Sequence, residues 1–434
     1  MMAVRTLSQG PMHAAIVLLV LILTYAGMVA GRVPRLQVDR TGIALLAVIT
    51  LLVTGQMTLD DFGSNVDMPT LALLFAMMII SAQFAESGFI DLCAREFTSR
   101  GHGNTVLLAL TVAIAGGLAA VLANDILIIT IAPLLLVGAR ARGFDPRPFA
   151  IALAAATNAG SAATLIGNPQ NMLLGAIGRL DFWTFLWVSG VPAVVSLVTV
   201  FAVVWLQWRR RMIAAEPADP AELPPVTSHP FDRNQVIKGA VALLALLLLF
   251  LTSLPREIGA LMIAAVLLAN RKIASRTMIA TVDWPLLLLV ACLFAITGTL
   301  NQSGIAAKLL SFFEHHDLLP NGLVPLTLFS VVTSNAIGSL PAAMLLLQIW
   351  PTPPPGVLYA LALLSTLAGN LLLSGSLTNL LIAERADRMG ARLGFMDHAK
   401  AGVPIAVISL AFAIFWLSLT HTLSLLPTPV PVDQ

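Results

Sequence analysis

Charged residues are scarce in this sequence. Asp, Glu, Lys and Arg make up 11% of its 434 residues and cluster in short stretches between long apolar runs, whereas a soluble domain carries about 25%. Hydrophobic residues reach 58%, and only a helix satisfies its own backbone over such runs in lipid. The composition therefore excludes a soluble domain and predicts an all-α polytopic membrane protein.

Cysteine is almost absent as well. The two residues of this type, Cys93 and Cys292, fall one in each half of the chain, which gives no disulfide pattern and no cysteine-rich metal site. The net charge is only +2 and the basic residues fall in loops, so nucleic acid is not a predicted partner. The first apolar run is long and lacks a clear cleavage site, so it is interpreted as a span and not as a signal peptide.

The apolar runs repeat in the same order in two halves. Residues 1–208 are interpreted as a first membrane repeat, residues 209–235 as a proline-containing linker, and residues 236–434 as a second membrane repeat. Gly88 and Gly304 precede the two helices that are predicted to lie in the interface. Each repeat is predicted to contain about five spans, one re-entrant hairpin and a broken helix. Internal duplication of this kind is typical of transporters.

The distribution of charge predicts the orientation. If residues 105–139 form a re-entrant hairpin, the basic segments of both halves fall on one side of the membrane, and the acidic Asp60–Asp67 loop falls on the other. These basic segments are Arg32–Arg40, Arg95–Arg100, Arg140–Arg147, Arg209–Arg211, Arg271–Arg276 and Arg385–Lys400. By the positive-inside rule the basic side is cytoplasmic. We therefore predict an inner-membrane protein with inverted repeats, a cytoplasmic linker and both termini outside.

Polar clusters interrupt the apolar runs at four places, and each place in the first half has a counterpart in the second. Asn124-Asp125 corresponds to Ser334-Asn335, and Gly167–Asn171 corresponds to Gly375–Asn379. Such groups cost several kcal/mol at membrane depth unless they meet partners, water or a ligand. The Asn, Asp and Ser residues at the first pair are expected to cap new half-helices, whose free N–H groups favour anions. No Arg or Lys is expected at that depth.

The residues predicted to line a binding site share a place at one of these interruptions. They are Asn124, Asp125, Ser161, Thr164, Gly167, Asn168, Asn171, Ser334, Asn335, Gly375, Ser376, Thr378 and Asn379. Asp125 is interpreted as the carboxylate that binds a coupling ion, H⁺ or Na⁺, and simple helix capping is the alternative. No other cofactor is predicted. The histidines are expected in loops or at helix ends, in solvated structural roles.

Four segments carry a resemblance to a known group of proteins. They read ANDILIITIAPLLL (123–136), GSAATLIGNPQNMLLGA (160–176), SNAIGSLPAAMLLL (334–347) and STLAGNLLLSGSLTNLLIAE (365–384). They resemble the ion transporter superfamily, and within it the bacterial divalent-anion/sodium symporters and citrate-transporter-like permeases. The resemblance implies alternating access, a small anionic substrate, a homodimer in the lipid bilayer, and Na⁺ near Asn124, Asp125 and Asn335.

The hairpin tips depart from the pattern of the sodium–dicarboxylate members, which carry Ser-Asn-Thr there. Ala336 stands where the second Thr would be, and Ala123 and Asp125 flank Asn124. The Asn-Asp pair looks more like the arsenite permeases. The predicted function is an ion-coupled secondary active transporter of a carboxylate or inorganic oxyanion. Arsenite or antimonite efflux and Na⁺/H⁺ exchange are the alternatives within the class, and an ion channel is the alternative outside it. An enzyme is not predicted, since no nucleophile–base pair accompanies Asp125.

Overall fold

The protein is built from helices that follow one another in the same order in both halves. A computed structural model describes residues 11–30, 38–99, 103–210, 212, 229–252 and 254–424, and no β-strand occurs among them. The first half contains α1 (Pro11–Ala30), α2 (Arg40–Val53), α3 (Leu59–Asn65), α4 (Met68–Glu86), α5 (Phe89–Ser99), α6 (Asn104–Ala119), α7 (Asn124–Ala141), α8 (Pro146–Ser161), α9 (Pro169–Ile177) and α10 (Phe182–Trp208).

The second half repeats this order after the linker. It contains α11 (Arg233–Leu249), α12 (Arg256–Leu268), α13 (Ser275–Ala280), α14 (Trp284–Gln302), α15 (Ile305–His315), α16 (Leu323–Ile337), α17 (Ser339–Ile349), α18 (Pro355–Ala368), α19 (Leu377–Arg388) and α20 (Phe395–Leu419). The all-α polytopic fold predicted from the sequence is confirmed. The short helices α3 and α13 were not predicted, and α11 begins inside the segment 209–235 that was interpreted as linker.

Six of these helices are long and apolar enough to cross a membrane: α1, α4, α7, α10, α14 and α20. A helix of about 20 residues rises roughly 30 Å, which is the thickness of the hydrocarbon core. The helices α2, α6, α16, α17 and α18 are apolar but shorter. The hairpin arms and the broken helices account for most of them, since a chain that turns back or unwinds in the membrane needs shorter segments.

Contacts between the halves are reciprocal. The helix α4 packs against α12, and its counterpart α14 packs against α2; likewise α8 packs against α19 while α18 packs against α9. The two long helices α10 and α20 pack against each other. Exchange of partners between equivalent helices is the contact pattern of two copies related by a two-fold axis, and transporters with internal repeats are built in this way.

The helix α14 connects two faces of the molecule that differ in charge. At its beginning, Thr41 Oγ1 donates a hydrogen bond to the carbonyl oxygen of Pro285 at 3.2 Å, next to the basic residue that opens α2. At its end, Gln302 Nε2 donates to Asn65 Oδ1 at 3.2 Å, beside the acidic loop. Because 19 residues rise about 28 Å, the acidic loop and the start of α2 lie on opposite faces.

Hydrogen bonds also join the basic ends of helices that are far apart in sequence. Arg140 Nη1, at the end of α7, donates to the carbonyl oxygen of Met389 after α19. Gln207 Nε2, at the end of α10, donates to the carbonyl oxygen of Lys400 at 2.7 Å. The arginine-rich ends of α7, α10 and α19 therefore share one face, as the charge argument requires.

Close packing of α6 on α8 generates a first testable prediction. A Cβ on Gly160 would lie 2.0 Å from the carbonyl oxygen of Gly116, and a backbone atom cannot move aside as a flexible side chain can. We expect Gly160→Ala to destabilise the protein by about 1–3 kcal/mol. Gly117→Ala is the matched control, because a Cβ there meets nothing within 4 Å. Thermal unfolding in detergent measures both, and equal melting temperatures would contradict this packing.

Candidate functional site

The new helices of the two hairpins do not begin where the sequence predicted: the N-cap of α7 is one residue before Asn124, and the N-cap of α17 is three residues after Asn335. The residue before α7 is Ala123, so Asn124 and Asp125 already belong to the first turn of the helix. The helix α16 continues to Ile337 and ends at Gly338, whose φ of +97° disfavours any residue with a side chain. The expectation that Asn, Asp and Ser residues cap the new half-helices is therefore wrong at both tips. Neither α7 nor α17 receives a side-chain cap.

Two asparagines close the breaks that follow α8 and α18, and they do so in the same way. Asn171 Nδ2 donates to the carbonyl oxygens of Ser161 at 3.1 Å and Thr164 at 2.9 Å. Asn379 Nδ2 donates to the carbonyl oxygens of Gly369 at 2.9 Å and Leu372 at 3.1 Å. The acceptors lie ten and seven residues before each asparagine, in both halves. These two amides satisfy backbone groups that the unwound chain leaves without partners.

The first break is a tight turn that ends in a capped helix. Asn168 is the residue before α9, and its Oδ1 accepts from the N–H of Asn171 at 2.8 Å. A Cβ on Gly167 would lie 2.3 Å from the carbonyl oxygen of Ser161, so only glycine fits there. The capped N-terminus of α9 is therefore less available to an anion than the uncapped N-termini of α7 and α17.

A network of amides connects the two breaks across the halves. Asn158 Nδ2 donates to Asn370 Oδ1 at 2.9 Å and to Asn379 Oδ1 at 3.1 Å, and Ser376 Oγ donates to Asn158 Oδ1 at 3.0 Å. Asn168 Nδ2 donates to Thr366 Oγ1 at 3.2 Å. Asn158 and Asn370 were absent from the predicted set, because each lies inside or beside a helix and outside the most conspicuous polar clusters.

Each hairpin tip is attached to the break of its own half. Near the first tip, Thr164 Oγ1 donates to the carbonyl oxygen of Ala120, and Ser81 Oγ on α4 accepts from the N–H of Ala123 at 2.8 Å. Near the second tip, Asn335 Nδ2 donates to the carbonyl oxygen of Ala368 at 3.0 Å. The four interruptions therefore form one connected cluster.

Asn335 contacts the second break, which contains three of the other predicted residues of the second half, Gly375, Ser376 and Thr378. Its Oδ1 accepts from the N–H of Leu372 at 3.2 Å, and a Cβ on Gly375 would lie 2.3 Å from that oxygen. Ser376 immediately precedes α19, and Thr378 is buried in the first turn of that helix. Asn335 thus braces the break, and its oxygen is already engaged by the protein.

Two oxygen atoms near the tips are buried without a hydrogen-bond partner in the described part of the chain: Asn124 Oδ1 and Ser334 Oγ. Their residues are only 8% and 0% exposed. The Oδ1 atom of Asn171 is in the same state. Buried polar atoms are nearly always satisfied in proteins, so these oxygens are candidates for contact with an ion, a water or a substrate. Asn124 lies in the first turn of α7, after the first tip, and Ser334 lies in the last turn of α16, before the second tip.

Asp125 is half-buried in the first turn of α7, and it has no ion-pair partner among the described residues. A second carboxylate, Asp283, lies within electrostatic range of it. Asp283 precedes α14 and accepts from the N–H of Leu286 at 3.0 Å. Asp283 was not among the predicted site residues, although the run Asp283-Trp284-Pro285 matches Asp67-Met68-Pro69 at the start of α4.

Amide and carboxylate oxygens suit a small cation such as Na⁺. Asn124 Oδ1 and the Asp125 carboxylate fit this requirement, because in the described part of the chain the first has no hydrogen-bond partner and the second has no ion-pair partner. Asn335, the third residue predicted to border Na⁺, already accepts from Leu372. The first hairpin tip therefore offers a cation the better set of oxygens.

A basic residue reaches the second tip, contrary to the expectation that no Arg or Lys lies at that depth. Arg40 was assigned to a loop but is the first residue of α2. Its Nη1 lies 2.8 Å from the position that a Cβ would take on Gly338. Arg40 was interpreted as part of a loop because the apolar run begins only at Ile43. Asp39 caps α2, so the helix begins at Arg40, three residues before that run.

One histidine also differs from the expected solvated roles. His398 is 1% exposed, and its Nε2 lies 3.5 Å from Nδ2 of Asn379. The reason is that α20 begins at Phe395, earlier than the apolar sequence indicated, and carries His398 into the protein beside the second break.

Two hairpins and two broken helices, joined through polar groups inside an apolar helical protein, define the class of membrane transporters with internal repeats. Within that class the chain belongs to the citrate transporter family, because residues 16–352 match the family described as "Citrate transporter".

Similar proteins are named as membrane proteins or transporters. A "46 kDa membrane protein" of Mycobacterium leprae is 27% identical over 94% of this chain and 99% of its own length. The "Silicon efflux transporter LSI3" of Oryza sativa is 24% identical over 88% of this chain and 93% of its own length. The crystal structure of the Alcanivorax borkumensis YdaH transporter superposes with a TM-score of 0.62 at 16% identity, and covers 96% of this chain and 99% of the other. That likeness shows the fold.

The amides that close the breaks generate a second prediction. In Asn379→Asp, a carboxylate would face the carbonyl oxygens of Gly369 and Leu372 and would lose two donated hydrogen bonds of about 0.5–1.5 kcal/mol each. We expect a large loss of thermal stability. Asn104→Asp is the matched control, because the protein uses only the side-chain oxygen there. If both variants unfold at the wild-type temperature, Asn379 does not brace the break.

Proposed function

We propose that the protein is an ion-coupled secondary active transporter of a small anion, a carboxylate or an inorganic oxyanion, that works by alternating access. The observation that carries this proposal is the polar cluster that connects the two hairpin tips through the breaks, here called the junction. One tip bears an unpaired carboxylate, Asp125, and both tips begin helices whose N-termini lack a side-chain cap. Uncapped N-termini attract anions, and a free carboxylate attracts a cation or a proton.

Substrate and coupling ion would occupy neighbouring places in this junction. The N-termini of α7 and α17 would hold the anion, with Asn124 and Ser334 offering their unsatisfied oxygens to the cation or to hydroxyl groups of the substrate. Asp125 would bind H⁺ or Na⁺. Because a bound cation offsets the negative charge of Asp125, the anion would bind more readily after the ion.

The hairpins and broken helices would move as one body against the other spans. The hydrogen bonds of Asn158 to Asn370 and Asn379 tie the two breaks together, so a shift of one break carries the other with it. The helices α1, α2, α11 and α12 would form the scaffold, and their exposed apolar side chains would face lipid or a second copy in a homodimer.

We propose that the protein spans the inner (plasma) membrane with its basic face and the linker in the cytoplasm and both termini outside. Support comes from the shared face of the basic ends of α7, α10 and α19 and from the positive-inside rule.

A second candidate function follows from the rice relative, which is named as a silicon efflux transporter. Efflux of a small uncharged oxyacid, such as silicic or arsenous acid, would use the same amide-rich cluster without needing positive charge. Na⁺/H⁺ exchange would use Asp125 and no anion at all.

A ligand screen separates these candidates and is the third prediction. A ligand that binds the folded protein raises its apparent stability by mass action. We expect citrate, succinate, sulfate or phosphate to raise the melting temperature of the purified protein. Each is tested with and without Na⁺ and at two pH values, which distinguishes the coupling ions. Stabilisation by arsenite or silicic acid alone would favour efflux of an uncharged acid, and stabilisation by Na⁺ or pH alone would favour an exchanger.

The role of Asp125 is the fourth prediction. Asp125→Asn keeps the shape of the side chain but removes the charge that would bind the coupling ion. We expect uptake into proteoliposomes to lose its dependence on an imposed pH or Na⁺ gradient. Asp60→Asn, an exposed residue of α3, is the matched control and should transport like the wild type. Unchanged gradient dependence in Asp125→Asn would show that coupling resides elsewhere.

A further inference from the structure

The start of α2 holds a cation that the proposed coupling mechanism does not use. Arg40 is half-buried, and no carboxylate pairs with it in the part of the chain that the structure describes. The neighbouring Asp39 is engaged as the cap of α2, where it accepts from the N–H of Gly42 at 2.8 Å. A charge withdrawn from water is costly unless it is paired, so an unpaired guanidinium here needs a reason.

The repeat supplies a direct comparison. Arg256 opens α12, the counterpart of α2, and its Nη1 donates to the carbonyl oxygen of Leu180 at 2.8 Å. The Asp181 carboxylate also lies within electrostatic range of Arg256. Of the two equivalent arginines, Arg256 therefore has a hydrogen-bond partner in the protein. The guanidinium of Arg40 lies against the second hairpin tip instead.

That tip already favours negative charge. Gly338, against which Arg40 packs, immediately precedes α17, a helix of 11 residues whose N-terminus has no side-chain cap. The Oγ atom of Ser334, one turn before Gly338, is buried without a partner among the described residues. The second hairpin tip thus combines a guanidinium and an uncapped helix N-terminus with an unsatisfied hydroxyl one turn earlier, and each of these groups can hydrogen-bond an oxyanion.

The start of α2 also neighbours a carboxylate that acts electrostatically on the first hairpin tip. Thr41, next to Arg40, donates to the carbonyl oxygen of Pro285 at 3.2 Å, so the starts of α2 and α14 are neighbours. Asp283 at the start of α14 lies within electrostatic range of Asp125. The second tip therefore lies against a cation at the start of α2, and the first tip is within electrostatic range of a carboxylate at the start of the neighbouring α14.

We propose that Arg40 binds an ionised oxygen of the transported substrate at the tip of the second hairpin. The planar guanidinium donates two parallel hydrogen bonds to a carboxylate or a similar oxyanion, and it gains no charge–charge attraction from an uncharged acid. Arg40 therefore selects ionised substrates over neutral oxyacids. This inference rests on the proposed function and narrows its substrate class.

The test measures anion binding by thermal stabilisation of the full-length protein, with citrate, succinate, sulfate and phosphate as probes and silicic acid as the uncharged comparison. We expect Arg40→Gln to weaken the apparent affinity for a stabilising anion about tenfold or more, since hydrogen bonds to charged groups are among the strongest. Arg40→Lys keeps the charge but loses the planar guanidinium, so its apparent affinity for the anion should fall between those of Arg40→Gln and the wild type. Arg276→Gln, which removes an exposed arginine from α13, should bind like the wild type.

The outcomes separate this inference from the function on which it rests. If none of the four anions stabilises the wild type, both the anion-transport proposal and the role of Arg40 are overturned. If an anion stabilises the wild type and Arg40→Gln equally, only the role of Arg40 is overturned.

A second measurement needs no variant to fold. Phenylglyoxal modifies arginine side chains, and mass spectrometry reports the extent of modification at each one. We expect a stabilising anion to protect Arg40 in the wild-type protein while leaving Arg276 unprotected. Equal modification of Arg40 with and without that anion would overturn the inference.

Discussion

The structure depends on one constraint: a chain that unwinds inside an apolar protein must find hydrogen-bond partners for the backbone groups it exposes. Water cannot supply them in lipid, where each unsatisfied group costs several kcal/mol. Here two asparagine amides supply them, because Nδ2 of Asn171 and Nδ2 of Asn379 each donate to two carbonyl oxygens of the broken segment before them. These donors allow the chain to unwind at both breaks.

Small residues make the same breaks compact. Gly160 packs directly on the backbone of Gly116, and Gly402 of α20 packs on the carbonyl oxygen of Asn370. A side chain at either glycine would push a hairpin or a helix away from a break and would pull its amides out of hydrogen-bond range. Close backbone approach is a general feature of helices that associate in membranes. Packing and polar satisfaction therefore support each other, and the hairpins and breaks of both halves are held as one body.

Most of the fold could be predicted from the sequence, because the length of apolar runs and the repetition of their order are direct consequences of the bilayer. The ends of the helices were harder to predict. Gly338, and not Ser334 or Asn335, ends α16 because its φ of +97° is a tertiary property that polar composition does not report. Asp283 and Arg40 were missed for a related reason. Each caps or opens a helix next to a loop, and only the folded contacts bring them to the hairpin tips.

The charges at the junction explain why the two ligands of such a transporter would depend on each other. Asp125 and Asp283 are two carboxylates within electrostatic range, and Arg40 is the cation that packs on the opposite tip. With both carboxylates ionised the three groups carry one net negative charge, which repels an anion at short range in a medium of low dielectric constant. In the proposed mechanism, one bound cation or proton would remove that repulsion and leave the guanidinium free to act on the substrate. Coupling would then need no long-range signal, because the ion and the anion would meet the same small set of charges.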